Sequence, residues 1–341
     1  MDRPLDAHGR PLRSLRLSVT DRCNLRCSYC MPEEKYTWLP KKQILSYEES
    51  AALVRALIPL GVTKIRLTGG EPLLRRDLAD LVTRLARIDP LEEIALTTNA
   101  VHLEALAPDL LEAGLHRITV SLDTLRPDRF REMTRRDDLD QALAGIRAAR
   151  RAGFRGTKLN TVVIRGKNDD ELTDLLRFGA AEGVEIRFIE YMDVGGATQW
   201  SMDSVVSATE MLQRIQSELG TVEPLETQRS SAPADRFQLA SGQSFGIIAS
   251  TTRPFCSQCD RARLTADGRF FTCLYAQDGE DVAGVLRESG PEAAAQEIAR
   301  IWTARTDRGA EVRFDAKDRG ALADPETLRG KPHLEMHTRG G

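Results

Sequence analysis

The sequence predicts an α/β fold, an incomplete (βα)6 TIM-type barrel followed by a C-terminal extension, and three observations carry that prediction. Six strand-like runs alternate with helical patterns as far as Tyr191, which favours parallel pairing through right-handed crossovers. The chemically unusual residues fall at the C-terminal ends of those runs, where barrels of this kind gather their chemistry. Beyond Trp200 the pattern gives way to short strands and turn formers. A doubly wound open sheet is the alternative arrangement of the same units.

Residues 15–20 alternate apolar and polar and form a first strand, which delivers a loop holding Cys23, Cys27 and Cys30. A helix follows over 46–60: Ser46 can cap it, Glu49 stands three residues on, and Gly61 stops it. A second strand, 64–68, runs into Gly69-Gly70-Glu71-Pro72, with a helix over about 76–88. The unit then repeats as strand 94–98 and a helix from His102, strand 117–122 and helix 139–152, strand 158–164 and helix 169–181, and strand 185–191. Thr97-Thr98-Asn99, Ser121-Leu122-Asp123 and Glu190-Tyr191-Met192-Asp193 close three of these strands. The polar, turn-rich stretch 223–233 sets a boundary between Trp200 and Pro233, so two units are expected, 1–200 and 201–341. Strand-like runs at 236–240 and 244–249 precede a second cysteine triplet, Cys256, Cys259 and Cys273.

Composition narrows the function classes. The 341 residues carry a formal net charge of -3, which gives no basic footprint for nucleic acid. Hydrophobic content is 41% and charged content 29%, as in an ordinary globular protein. No run of 18 apolar residues exists and the start lacks an apolar signal core, so a cytoplasmic protein without a membrane segment is expected.

Six cysteines in two triplets suit a reducing compartment better than a disulfide framework. Thiolates are the ligands that iron-sulfur clusters and zinc prefer. The spacing three then two in the first loop lets one loop wrap a cluster, and three ligands leave one iron free for another molecule. Zinc usually takes four ligands, and no His or fourth Cys lies near this loop. The second triplet begins with a Cys-x2-Cys pair, the commonest half of a zinc site, so there zinc and a second open cluster both remain.

Strand parity supplies a separate signal. Arg16 shares a face with Ser18 and Thr20, Arg66 with Lys64 and Thr68, and Lys158 with Asn160, while Arg187 stands between Ile186 and Phe188. The outward face of such a barrel packs on helices and is apolar, so these cations point inward. Internal carboxylates could neutralise any one of them, but for four strands together an anionic ligand such as a triphosphate is the better account.

Cys23-x3-Cys27-x2-Cys30, with Tyr29 before the last cysteine, resembles the cluster loop of the radical S-adenosylmethionine enzymes. With Arg16–Asn24, Lys64–Pro72, Glu185–Asp193, Phe255–Leu264 and the final Gly340-Gly341, the chain resembles the family of GTP 3',8-cyclases, molybdenum cofactor biosynthesis protein A. Ala100 departs from that pattern, since many relatives carry Gly after Thr-Thr-Asn.

The resemblance implies two 4Fe-4S clusters, on Cys23, Cys27 and Cys30 and on Cys256, Cys259 and Cys273, with the extension carrying the second iron-sulfur cluster. It implies S-adenosyl-L-methionine contacts at Tyr29, Gly70, Ser121 and Met192. Without the family, Gly70 reads as a tight turn, Ser121 as a strand-end cap and Met192 as core. GTP contacts are implied at Arg16, Lys64, Arg66, Thr97, Lys158, Arg187, Arg261 and Arg263, the last two otherwise reading as solvated strand arginines. The implied reaction takes hydrogen from C3' of the GTP ribose and closes that carbon on C8 of guanine. It yields (8S)-3',8-cyclo-7,8-dihydroguanosine 5'-triphosphate, with Arg261 or Arg263 assisting the closing reduction. The tail beyond Gly320 has little packing signal and would ordinarily fray, yet in the family Gly340 and Gly341 reach the active site. Removing both is expected to abolish cyclisation while S-adenosylmethionine cleavage persists. Expected partners are an electron donor such as a flavodoxin or ferredoxin, the downstream cyclic pyranopterin monophosphate synthase and a second copy in a homodimer. The alternatives are a radical enzyme modifying peptides and a zinc-stabilised binding module, and colour separates the latter, since iron-sulfur protein is brown.

Overall fold

In the computed structural model, which describes residues 3–226 and 231–340, β1 (Ser14–Ser18) opens a run of βα units. Helix α1 (Tyr47–Leu57) starts at Ser46 with a full capping box: the Ser46 hydroxyl accepts from Glu49 N and the Glu49 carboxylate accepts from Ser46 N. Gly61, at φ 102°, ends the turn that follows. Then come β2 (Lys64–Thr68), α2 (Leu78–Ala86), β3 (Glu93–Thr98), α3 (Leu103–Glu112), β4 (Arg117–Ser121), α4 (Pro127–Thr134), α5 (Leu139–Ala152), β5 (Lys158–Val163), α6 (Leu172–Glu182) and β6 (Glu185–Glu190). The six expected strands are present and parallel, and α4, which the sequence did not announce, lies in the connection after β4.

The extension contributes more to the sheet than two short strands. After α7 (Ala208–Leu219), β7 (Val222–Leu225), β8 (Asp235–Leu239) and β9 (Ser244–Ile248) form an antiparallel meander. Strand β9 lies parallel beside β6. Strands β10 (Arg261–Leu264), β11 (Arg269–Phe271) and β12 (Glu280–Asp281) form a second meander, and β10 lies parallel beside β1. The sheet order is β12-β11-β10-β1-β2-β3-β4-β5-β6-β9-β8-β7, so the parallel core has eight strands rather than six and remains open among the described residues. The stretch 223–233 was read as turn; its first part is instead edge strand β7, where Pro224 costs no central ladder bond, and 227–230 lie outside the described residues.

One face of the sheet is apolar. Leu15, Leu17, Ile65, Leu67, Ile94, Leu96, Ile118, Val120, Ile186 and Phe188 are buried there in one cluster with helix residues such as Leu53, Leu57, Leu81, Leu85, Leu110, Ile146 and Leu175. The opposite face carries the half-buried Arg16, Arg66, Lys158 and Arg187, as alternation requires. Helices α8 (Val282–Ser289) and α9 (Pro291–Thr303) pack near α1, and α10 (Gly309–Phe314), α11 (Pro325–Gly330) and α12 (Met336–Arg339) complete the chain.

The tail does not fray. Leu328 and Leu334 are buried, and so are the polar Glu335, His337, Thr338 and Arg339, Arg339 being 1% exposed. Packing by polar side chains leaves no apolar periodicity in the sequence, which explains why the tail read as loose. Gly341 lies outside the described residues.

Candidate active site

The first cysteine loop is held from several sides. Its backbone N–H groups at Arg26 and Ser28 donate to Thr134 O (2.9 Å) and Met133 O (2.8 Å) at the end of α4. Gly70 N and Glu71 N donate to Thr20 O (2.9 Å) and Arg22 O (2.7 Å). A Cβ on Gly70 would stand 2.3 Å from Arg22 O, so the glycine lets the turn after β2 lie directly against the cysteine loop. Gly196 plays the same part from the other side, where a Cβ would stand 2.0 Å from Cys30 O. Asn99 Nδ2 donates to Asn24 Oδ1 at 2.8 Å, tying the end of β3 to the loop.

The Tyr29 hydroxyl donates to Asp123 Oδ2 at 2.7 Å, and Asp123 Oδ1 accepts from Val162 N at 2.9 Å. Burial pushes the Asp123 carboxyl up to about 6. Glu71 is fully enclosed and accepts from Thr98 Oγ1, Asn99 N and Leu73 N, with burial pushing it up to about 7. These are buttresses of the loop. Ser121 stands half-buried at the end of β4, in register with Asn160, and Met192 half-buried just after β6.

The inner face brings the predicted cations together in rows. Arg263, Arg16 and Arg66 are register neighbours on β10, β1 and β2. Arg261, Ser14, Lys64 and Glu93 form the row before it. Arg16 and Lys158 have neither a hydrogen bond nor an ion pair. Arg66 donates only to hydroxyls, Thr97 Oγ1 at 3.3 Å and Thr119 Oγ1 at 3.1 Å. Two carboxylates serve the cluster, Glu93 on Arg117 (2.6 Å) and Glu185 on Arg187 (2.9 Å) and Arg236 (2.8 Å).

The charge imbalance shows in the titration of these groups. Burial, then Arg263, Arg66 and Arg261, hold the Arg16 guanidinium well below its ordinary range. Arg66 is pushed down to about 10 by burial and Arg117, and Lys158 to about 7 by burial, Arg187 and Arg117. Buried cations without counter-charge are costly, and a bound polyanion would relieve that cost.

The second triplet lies at the opposite end of the strands. Cys256 and Cys259 precede β10, and Cys273 follows β11, which runs antiparallel to it, so all three stand at the end where β1 begins. Arg10 Nη1 donates to Cys256 O (2.8 Å) and Arg305 Nη1 to Cys259 O (2.9 Å). Arg261 reaches Cys259 Sγ at 3.7 Å. Burial opposes ionisation of Cys259, but Arg261 and Arg305 outweigh it and hold its thiol below the ordinary range. Burial pushes Cys23 and Cys273 up to about 11.

The tail runs between the two ends. Glu335 faces Cys30 electrostatically, and the backbone N–H of His337 points at the Cys30 thiol. A Cβ on Gly340 would lie 2.3 Å from Thr68 Cγ2 and 2.9 Å from Ser18 Oγ, and Arg263 Nη1 donates to Gly340 O. Arg339 lies over the Phe271 ring at 4.3 Å and donates to His333 O and Leu274 O, both at 2.6 Å, beside Cys273.

All six cysteines are free, and the donor set fits clusters. Among the described residues no three His, Cys, Asp or Glu side chains are arranged to hold a single ion. A cluster spaces its thiolates around a cube instead. Buried polar atoms without partners collect beside the tail: Ser18 Oγ, both His337 ring nitrogens, Thr338 Oγ1 and Arg339 Nη2. Such atoms suit a site that closes on polar ligands. Sequence reasoning missed Arg117, Arg305 and Arg339. Arg117 could have been found by extending the parity argument to the start of β4, whereas nothing local marks Arg305 or Arg339.

Comparison with known proteins gives two family matches, the radical SAM superfamily over residues 17–179 and Molybdenum Cofactor Synthesis C over residues 184–311. The chain is 49% identical to GTP 3',8-cyclase 1 of Mycobacterium tuberculosis over 98% of this chain and 95% of that one. It is 45% identical to GTP 3',8-cyclase of Acidothermus cellulolyticus over the whole of both chains. Among solved structures, Streptococcus suis SuiB bound to S-adenosylmethionine is similar with TM-score 0.62 and 13% identity, covering 94% of this chain and 73% of that one. At that identity the likeness shows a common fold.

Proposed function

The chain belongs to the GTP 3',8-cyclase family of radical S-adenosylmethionine enzymes, and from that membership we propose how its residues cyclise GTP as the first step of molybdenum cofactor biosynthesis. Two 4Fe-4S clusters and S-adenosylmethionine, when bound, supply the one-electron chemistry that removes hydrogen from the ribose. Cys23, Cys27 and Cys30 hold the first cluster, and Cys256, Cys259 and Cys273 the second. The observation that carries the reading is the row Arg263–Arg16–Arg66, an uncompensated set of cations lying between the two triplets.

The triphosphate lies along that row and draws in Lys158 and Arg187, with Lys64 and Thr97 as further contacts. Its charge replaces the missing counter-ions and orients the nucleotide lengthwise, ribose toward the first loop and guanine toward the second triplet. Tyr29, Gly70, Ser121 and Met192 line the S-adenosylmethionine side. Arg261 stabilises negative charge as the new ring is reduced, and Arg263 holds Gly340, so the tail excludes water beside the ribose. Residues 1–200 thus serve cofactor cleavage and 201–341 the nucleotide base.

A low-potential flavodoxin or ferredoxin supplies electrons, and the cyclic pyranopterin monophosphate synthase takes the product. No helix among the described residues is long and apolar enough to cross a membrane. A cytoplasmic homodimer is the working form.

The test is anaerobic incubation of the iron-loaded enzyme with S-adenosylmethionine, reductant and each nucleoside triphosphate in turn. GTP alone should give 5'-deoxyadenosine together with a cyclised nucleotide. Equal turnover with ATP, or with a peptide and no nucleotide, would refute the reading.

A further inference from the structure

The outer side of the first cysteine loop carries an arginine pattern that binding of GTP and S-adenosylmethionine does not use. Five arginines lie on α4 and the turn after it or just before it: Arg126, Arg129, Arg131, Arg135 and Arg136. The first three are all paired, with Asp170, Glu171, Asp174, Asp128 or Asp137. Arg135 and Arg136 are exposed and have no acidic partner.

These two lie over the loop itself. Arg135 Nη2 donates to Pro32 O at 2.7 Å, and Arg136 Nε to Asn24 O at 3.1 Å. From within the loop, Arg26 donates to Cys23 O and Leu25 O, both at 2.8 Å, and it too lacks a carboxylate. Arg135 reaches its place as the left-handed cap of α4, at φ 55°, with its backbone N–H donating to Arg131 O at 2.9 Å.

Aromatic rings complete the patch. Arg22 lies over the Trp38 ring at 4.6 Å, and Arg26 stands 5.7 Å from Trp38 and 6.0 Å from Tyr36. The inner edges of both rings meet the tail's His337, at 5.2 Å from Tyr36 and 5.6 Å from Trp38, which leaves Tyr and Trp half-buried beside Arg at the rim of the patch. The patch is therefore basic and aromatic on a chain whose formal net charge is -3.

We propose that Arg22, Arg26, Arg135 and Arg136, with Tyr36 and Trp38, form the docking surface for a small acidic one-electron carrier protein that reduces the cluster held by Cys23, Cys27 and Cys30. The argument for that occupant is charge complementarity together with position: Arg135 and Arg136 are exposed to solvent and donate to the backbone of the loop that carries Cys23, Cys27 and Cys30. The reduced carrier gives up one electron through the loop and leaves oxidised by one electron, with no proton or bond exchanged. Arg22 pairs with Asp21 at 3.5 Å, whereas Arg26, Arg135 and Arg136 have no carboxylate partner; such arginines on a docking face speed encounter and fix orientation, and salt weakens both effects.

The inference rests on the first triplet holding a redox cluster, and its test separates the two. Iron-loaded enzyme and the variants Arg135→Gln/Arg136→Gln and Arg135→Glu/Arg136→Glu are titrated with oxidised flavodoxin at low and high salt. Glutamine keeps an N–H donor for the loop carbonyls and removes only charge. In parallel, 5'-deoxyadenosine formation is driven either by reduced flavodoxin or by dithionite, which needs no docking. The expected result is flavodoxin affinity weakened by about tenfold in the neutral pair and more in the acidic pair, with dithionite-driven turnover unchanged. Unchanged affinity in both variants, or a parallel fall with dithionite, would overturn the docking surface. A normal iron content and dithionite rate with no flavodoxin binding to the parent enzyme would overturn it as well. Absence of iron from the first triplet would instead remove the reading beneath it.

Discussion

At the scale of single residues, Lys158 ties structure to a measurable proton. Burial with Arg187 and Arg117 brings its ammonium down to about 7, so at pH 8 it is mostly neutral without nucleotide. A triphosphate beside it favours the charged form, and GTP binding at pH 8 should take up a proton, read by calorimetry in buffers of different ionisation enthalpy. Lys158→Gln should abolish the uptake. The sign for stability follows from linkage: below about pH 7 the lysine is charged in both states and its burial cost is fully present. As pH rises from there through the ordinary lysine range, the unfolded chain holds more protons, so nucleotide-free protein should gain stability, and Lys158→Gln should flatten that slope. Gly340→Ala tests the tail at the same scale. Its methyl group would meet Thr68 Cγ2 at 2.3 Å, so cyclisation should be lost while S-adenosylmethionine cleavage continues, with both products followed by chromatography.

At the scale of elements, the turn after β2 and the cysteine loop behave as one piece. Gly70→Ala would place a methyl carbon 2.3 Å from Arg22 O, and the loop rather than the strand would give way. The expected outcome is iron content falling by about half, as the first cluster is lost and the second retained. The sequence announced this pairing only partly. Gly69-Gly70 was legible as a tight turn, but that the turn lies against the loop backbone is something that no local pattern could indicate. The βα repeat was legible because apolar alternation in strands and capping at Ser46 are local signals. Strand β7 and helix α12 were not, since Pro224 at a sheet edge and a tail packed by His337, Thr338 and Arg339 are permitted by tertiary surroundings alone. The cation rows were read correctly as inward-facing, yet Arg339 joins them from a distant segment and carries no periodic mark.

At the scale of the whole molecule, the extension continues the sheet at both edges, with β10 beside β1 and β9 beside β6, and a buried clamp helps to hold it. Asp193, fully enclosed after β6, pairs with Arg313 at 2.7 Å and Arg319 at 3.0 Å and accepts from the Tyr275 hydroxyl at 3.1 Å. Asp193→Ala leaves half-buried guanidinium groups without their carboxylate and should destabilise the enzyme by about 3 kcal/mol, measured by denaturant unfolding. The arrangement sets two thiolate triplets at opposite ends of a face whose positive charge exceeds its negative charge, and the account depends on that face holding a triphosphate. Equilibrium binding of GTP and of guanosine to anaerobic, iron-loaded enzyme tests this most directly when Arg16→Gln/Lys158→Gln is compared with the parent. The account predicts that GTP affinity falls by about a hundredfold while guanosine binding is unchanged. Equal GTP affinity in the parent and the double variant would contradict it.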